Sequence, residues 1–174
     1  MPITVREGID DLAALEDAFG IPEGYIDNLK NEDDWSLIIK SHALLESATA
    51  NLLCHYFAKH ELIDVFASME MSNKRSGKFA FLSALNLLGK EERRFISELS
   101  ELRNLVVHNA SNVTFGLREY ISSVSDAKQK QFAKTLNIRL ESIEVDGKKY
   151  EGEDLLLHFP KWVVWSSLTN TTVL

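Results

Sequence analysis

The stretch Glu91-Glu92-Arg93-Arg94-Phe95-Ile96-Ser97-Glu98-Leu99-Ser100-Glu101-Leu102-Arg103-Asn104-Leu105-Val106-Val107-His108-Asn109 reads as a single amphipathic helix. Phe95, Leu99, Leu102 and Val106 recur at i, i+4, i+7 and i+11, the spacing of one helical face. Two glutamates open it, where negative charge favours the helix dipole. Its end is unusual. In place of Gly and small polar residues it carries Arg103, Asn104 and His108. A helix turns about 100° per residue, so Asn104 and His108 share a face and Arg103 flanks it, roughly 140° from His108. Arg offers a planar donor fork suited to phosphate. His is the side chain whose ordinary pKa allows proton transfer near neutrality. Together they can supply a metal-free phosphodiester cleavage site. The same residues also suit a structural helix end, because a cation in the last turn favours the dipole and Arg103 could pair with Glu101.

Composition narrows the field. A length of 174 residues fits one domain, and 45% apolar with 26% charged residues is the balance of a soluble globular chain. No apolar run reaches the length of a membrane span. The start, Met1-Pro2-Ile3-Thr4-Val5-Arg6-Glu7, lacks the basic and apolar regions of a signal peptide, so a cytoplasmic protein is expected. Cys54, the only cysteine, sits in an apolar helical pattern and reads as a small buried hydrophobe. The net charge of −7 argues against a broad basic nucleic-acid surface but not against a local one. Three basic clusters exist: Lys74-Arg75-Ser76-Gly77-Lys78, Arg93-Arg94, and Lys128 with Lys130 and Lys134. Each reads first as a solvated face or loop. Spaced Cys and His pairs are missing, which argues against zinc, and there is no glycine-rich phosphate loop. No metal or cofactor is expected.

The rest of the chain reads as largely helical. A short helix opens at Asp10-Asp11 and runs to Phe19, with Gly20 after its end, and Ile21-Pro22-Glu23-Gly24 makes a turn. A long helix starts near Asp33-Asp34, with Trp35, Ile38, Ile39, Ala43, Leu45, Leu52, Leu53, Tyr56 and Phe57 forming a wide apolar stripe. That width suits two neighbours, or one neighbour and a subunit contact. A continuation over 61–67 bends away after His60. Residues 69–77 form a loop, and a helix from Phe79 runs to Leu88, stopped by Gly89. Asn109-Ala110-Ser111-Asn112 breaks the helix quoted above. Helices are expected over 117–124 and 126–136. Ile138 to Val145 alternates before Asp146-Gly147, the signature of a small hairpin closing at Lys148-Lys149-Tyr150. A last helical segment over 153–168 must kink or restart at Pro160.

Glu46 falls beside the apolar stripe of the long helix. A buried carboxylate needs a partner, and Arg103 is the natural candidate. Such a pair would either fix Arg103 structurally or support chemistry at it. His42 lies one turn before Glu46 and can join the network. His55, His60 and His158 read as surface or helix-end histidines.

Two long helices, a loop, and a helix ending in Arg-Asn-x-x-x-His resemble the HEPN domain, a helical bundle of many prokaryotic toxins and RNA-targeting defence proteins. Its signature is an Arg, usually a polar residue next, and a His four to six positions on; Arg103, Asn104 and His108 fit it. Residues 35–121 resemble the mannitol operon repressor family more closely. The similar features are Leu44-Leu45-Glu46-Ser47-Ala48, Tyr56-Phe57, Leu85-Asn86-Leu87-Leu88-Gly89, Leu102-Arg103, His108-Asn109 and Phe115. This resemblance covers about half the chain. It implies an all-α HEPN-like bundle with core about 33–136; the small C-terminal hairpin and helix read over 137–174 lie outside that core.

The two families imply different functions. The HEPN resemblance implies a homodimer with facing motif helices that cuts RNA without metal. His108 would transfer protons, Arg103 would stabilise phosphate charge, and Asn104 would orient the backbone or the His. An antitoxin or regulatory protein is an expected partner, and a membrane is not. The other resemblance implies a non-catalytic, transcription-linked regulator or interaction module. The chain departs from one toxin branch in having Ala110 where a tyrosine often follows the His by two.

Overall fold

Asp33 caps the longest helix: its carboxylate accepts the Ser36 N–H at 2.9 Å and the Ser36 hydroxyl at 2.6 Å, satisfying a donor that every helix start leaves open. The computed structural model describes residues 5–108 and 113–172, with side chains from residue 12 onward. Among them are ten α-helices and one hairpin. In order these are α1 (Val5–Phe19), α2 (Tyr25–Asn28), α3 (Asp34–Phe57), α4 (Ile63–Ser68), α5 (Lys78–Ala84), α6 (Lys90–Val107), α7 (Leu117–Ser123) and α8 (Asp126–Thr135). Then come strands β1 (Ser142–Val145) and β2 (Lys148–Glu151), and helices α9 (Gly152–His158) and α10 (Pro160–Thr172). The chain is all-α with a small hairpin, as expected.

The core is one cluster of buried apolar side chains that runs from Ile26 to Leu168. Helix α3 lies at its centre, with α6, α10 and α4 packed around it. Having several neighbours changes the stripe inferred from sequence. Leu37 and Leu44 are buried, whereas Ala43, Tyr56 and Phe57 face outward. Cys54 is buried as expected, and burial pushes its thiol pKa up. Helix α6 buries Phe95, Leu99, Leu102 and Val106, the four residues of the sequence stripe. It runs antiparallel to α3. Trp35 Nε1 donates to the Val106 carbonyl at 3.3 Å, and His42 Nε2 lies 3.2 Å from Ser100 Oγ.

Several boundaries move for identifiable reasons. Helix α1 begins at Val5, earlier than the acidic pair suggested. Helix α5 stops at Ala84 because Asn86 takes a left-handed φ of 53°. Asn86 and Leu87 then donate to the Ser83 and Leu82 carbonyls, a Schellman closure with Asn where Gly is usual. The hairpin starts at Ser142 rather than Ile138. Ile138 is held instead in the core, its N–H donating to Ser167 Oγ at 2.8 Å. Asp146 and Gly147 both take positive φ at the turn, as a tight two-residue hairpin requires. Pro160 is the first residue of α10, so the C-terminal segment restarts there. The expected break at 109–112 lies outside the described residues, as does Ala110.

One buried charge, Glu16, carries no signal in the sequence, and another, Lys78, differs from its sequence reading. Glu16 accepts the Gly24 and Ile26 N–H groups, each at 2.7 Å, and so ties α1 to α2. Lys78, placed by its sequence in a solvated basic cluster, is 1% exposed. Its ammonium donates to the Phe66 and Ala67 carbonyls at 3.1 and 3.2 Å, which close the C-terminal end of α4. The loop before it is tightly held. Asn73 Oδ1 accepts the Arg75 and Ser76 N–H groups, and a Cβ on Gly77 would lie 2.3 Å from the Glu70 carbonyl oxygen. No helix of the described residues is long and apolar enough to cross a membrane.

Candidate functional site

The end of α6 is clamped from behind and open in front. Leu99, Leu102 and Val106 bury its inner face, and Trp35 grips the Val106 carbonyl. Asn104, Leu105, Val107 and His108 are exposed, and Arg103 is half-buried. Asn104 connects the other two motif residues. Its side-chain Oδ1 accepts Arg103 Nη1 at 3.1 Å, and its backbone carbonyl accepts the His108 N–H at 3.3 Å. The first bond draws the guanidinium toward the face that Asn104 shares with His108. The second holds His108 in helical geometry at the C-cap, with φ −78°. Asn104 therefore orients Arg103 through its side chain, where the sequence suggested the His or the backbone.

Glu46 does not meet Arg103. Its carboxylate lies 3.6 Å from His42 Nδ1, with the Glu46 side chain 39% exposed. Register explains this. Trp35 opposite Val106 and His42 opposite Ser100 place Glu46 level with Ile96, about 10 Å along the axis from Arg103 at 1.5 Å per residue. The expected core ion pair is replaced by a His42–Glu46 contact within one helix. His42 does join a network, but with Glu46 and Ser100.

Ser100, His42 and Glu46 have the residue types of a hydrolase triad without its chemistry. Ser100 is 2% exposed, and its hydroxyl proton goes to the Ile96 carbonyl at 2.8 Å. His42 Nε2 lies 3.2 Å from the same oxygen, which is shut inside the α3–α6 contact where no substrate carbonyl can reach it. Burial lowers the His42 pKa from its ordinary value; the Glu46 carboxylate opposes this, and the nearby Arg103 and Lys78 cations reinforce it. The network is a buried strut between α3 and α6, set behind the motif.

The remaining histidines lie elsewhere. His55 and His60 are exposed, and His158 ends α9 beside Asp154 at 3.1 Å and the Tyr150 ring. The roles of Trp35 and Ser100 were missed because both depend on the pairing of α3 with α6, which no local pattern reveals. Comparison with protein-family models, with curated proteins and with solved structures finds no match.

Proposed function

We propose that this protein is a cytoplasmic, homodimeric, RNA-targeting protein of the HEPN type it resembles, cutting RNA without a metal. The observation that supports this best is the Arg103–Asn104 bond at an exposed helix end, which ties the guanidinium to a residue on the same face as His108. RNA carries its own nucleophile, the 2′-hydroxyl. Its attack forms the O2′–P bond and breaks the P–O5′ bond, leaving a 2′,3′-cyclic phosphate and a 5′-hydroxyl. The step needs a base for the 2′ proton, an acid for the 5′ oxygen, and stabilisation of charge on phosphate. Arg103 supplies the last. Each motif has one His, so the base and the acid both come from His108 if a two-fold contact faces two motifs across one cleft. An antitoxin or regulatory partner would act by covering this end of α6.

The test is incubation of the purified protein with structured and unstructured RNA in EDTA, alongside DNA, with light scattering for oligomeric state. The expected result is a dimer that cuts RNA only, with His108→Ala slower by about 10² to 10⁴, the usual share of acid–base catalysis. Arg103→Lys is expected not to restore activity, because a point charge cannot replace a bidentate fork. A micromolar monomer, cleavage that needs magnesium, or cleavage unchanged in His108→Ala would reject this reading. It would leave the non-catalytic regulator or interaction module that mannitol operon repressors represent.

A further inference from the structure

An acidic chain that targets RNA needs a local cationic surface, and the structure has one that adjoins the motif. Between α6 and α8 runs a cleft of about 530 Å³, lined on one wall by Arg94, Ser97 and Glu101 and on the other by Lys130 and Lys134. Arg94, Lys130 and Lys134 are exposed, and none forms an ion pair among the described residues. The buried carboxylate in the floor does not cancel them. Glu98 is 5% exposed and already accepts Lys128 at 2.8 Å, Gln131 at 3.1 Å and Thr135 at 3.1 Å. Its negative charge is taken up by Lys128, which leaves the other three cations to face solvent. Glu101 is the one exposed carboxylate in the lining.

The direction of the cleft gives it meaning. Arg94, Glu101 and His108 are spaced seven residues apart, and so are Ser97 and Asn104. Seven residues bring a helix back to nearly the same side, with a drift of about 20°. The α6 wall of the cleft and the face bearing Asn104 and His108 are therefore one continuous stripe. From Arg94 to His108 it extends about 21 Å at 1.5 Å per residue. That length matches roughly six stacked nucleotides at about 3.4 Å each.

We infer that the α6–α8 cleft is the track for the phosphate backbone of a single RNA strand, held by Arg94, Lys130 and Lys134 and led along α6 to Asn104 and His108. This rests on the RNA-targeting reading above and adds to it where the strand lies. Glu101, between the cations and the motif, opposes the backbone and limits affinity.

The test is fluorescence anisotropy with a labelled, unstructured oligoribonucleotide over a series of salt concentrations. It is done in His108→Ala protein, so that cutting does not intervene. Lys130→Gln/Lys134→Gln should weaken binding at least tenfold. It should also flatten the slope of log K against log salt by about 1.4, the value for two lost contacts to single-stranded phosphates. Glu101→Gln should tighten binding, an effect that a merely structural role would not produce. Circular dichroism checks that each variant is folded, and Arg94→Gln gives an independent single change. Unchanged affinity in the double variant overturns the track. So does equal weakening by Lys148→Gln/Lys149→Gln on the hairpin, which would mark a general charge effect. Binding that depends on the cleft in a protein that never cuts RNA keeps the track and removes the nuclease reading. Cutting that depends on His108 while the cleft variants bind normally does the reverse.

Discussion

The indole of Trp35 donates to the Val106 carbonyl at 3.3 Å, tying the first turn of α3 to the last turn of α6. Asp34, the neighbour of Trp35, accepts the Leu117 N–H at 2.7 Å and lies 3.6 Å from Lys161 Nζ. The start of α3 thus gathers α6, α7 and α10 at one point, and the last turn of α6 is anchored by a residue far away in the chain. Trp35→Phe keeps an aromatic ring and removes the donor, with part of the indole's packing. It should cost about 1 kcal/mol. A thermal melt should show this as a drop of about 2–4 °C.

Lys78 and Glu46 should contrast in stability. Lys78→Met keeps the buried stem but strips the charged donor from the Phe66 and Ala67 carbonyls, at a cost of about 1.5–3 kcal/mol. Glu46 is partly exposed and its carboxylate contacts His42 at 3.6 Å, so Glu46→Gln should cost less than about 1 kcal/mol. Denaturant titration of both variants checks the order. A larger loss for Glu46→Gln would show that its carboxylate supports more than the contact with His42.

His42 should make stability depend on pH in one direction. Its pKa is lowered in the folded state, chiefly by burial, so the unfolded chain binds more protons just below the ordinary imidazole pKa of about 6.5. The contribution is complete above that value and declines as pH falls through it toward the lower folded-state pKa. His42→Gln removes this contribution. Melting temperatures of the two proteins, compared between about pH 7.5 and pH 5.5, should converge on the acid side.

Asn104→Ala should separate positioning from folding. It frees the Arg103 guanidinium while the backbone carbonyl still holds His108, and Ala is a better helix former than Asn. Stability should be unchanged or slightly higher. On the proposed reading, the RNA cleavage rate in EDTA should fall with little change in KM. Mixing His108→Ala with Arg103→Ala subunits should recover partial activity if the two motifs share one cleft.

What could be read from the sequence was local. The four-residue stripe of α6, the helix start at Asp33-Asp34, the Asp146-Gly147 turn and the kink or restart at Pro160 all follow from patterns within a few residues. The end of α5 was misread because Asn86 replaces Gly in the left-handed position, and Gly89, three residues on, looked like the stop. Long-range pairing accounts for the other misreadings. The burial of Lys78 depends on α4 ending above it, and the separation of Glu46 from Arg103 depends on an antiparallel register. The residue types Arg103, Asn104 and His108 could be read from the sequence. The bond from Arg103 to Asn104 could not, since rotamers are not written in spacing.

Cys54 gives the molecule a built-in clock. It is the only thiol in the chain, is 3% exposed in the last turns of α3, and its pKa is raised by burial. An alkylating reagent can reach it only when that part of α3 parts from its neighbours. The rate of adduct formation therefore reports how often the central helix opens, one event per molecule, with no probe to introduce. Because α3 carries the residue that grips the end of α6, the same trace would show whether an oligonucleotide seated along α6 quiets the helix behind it.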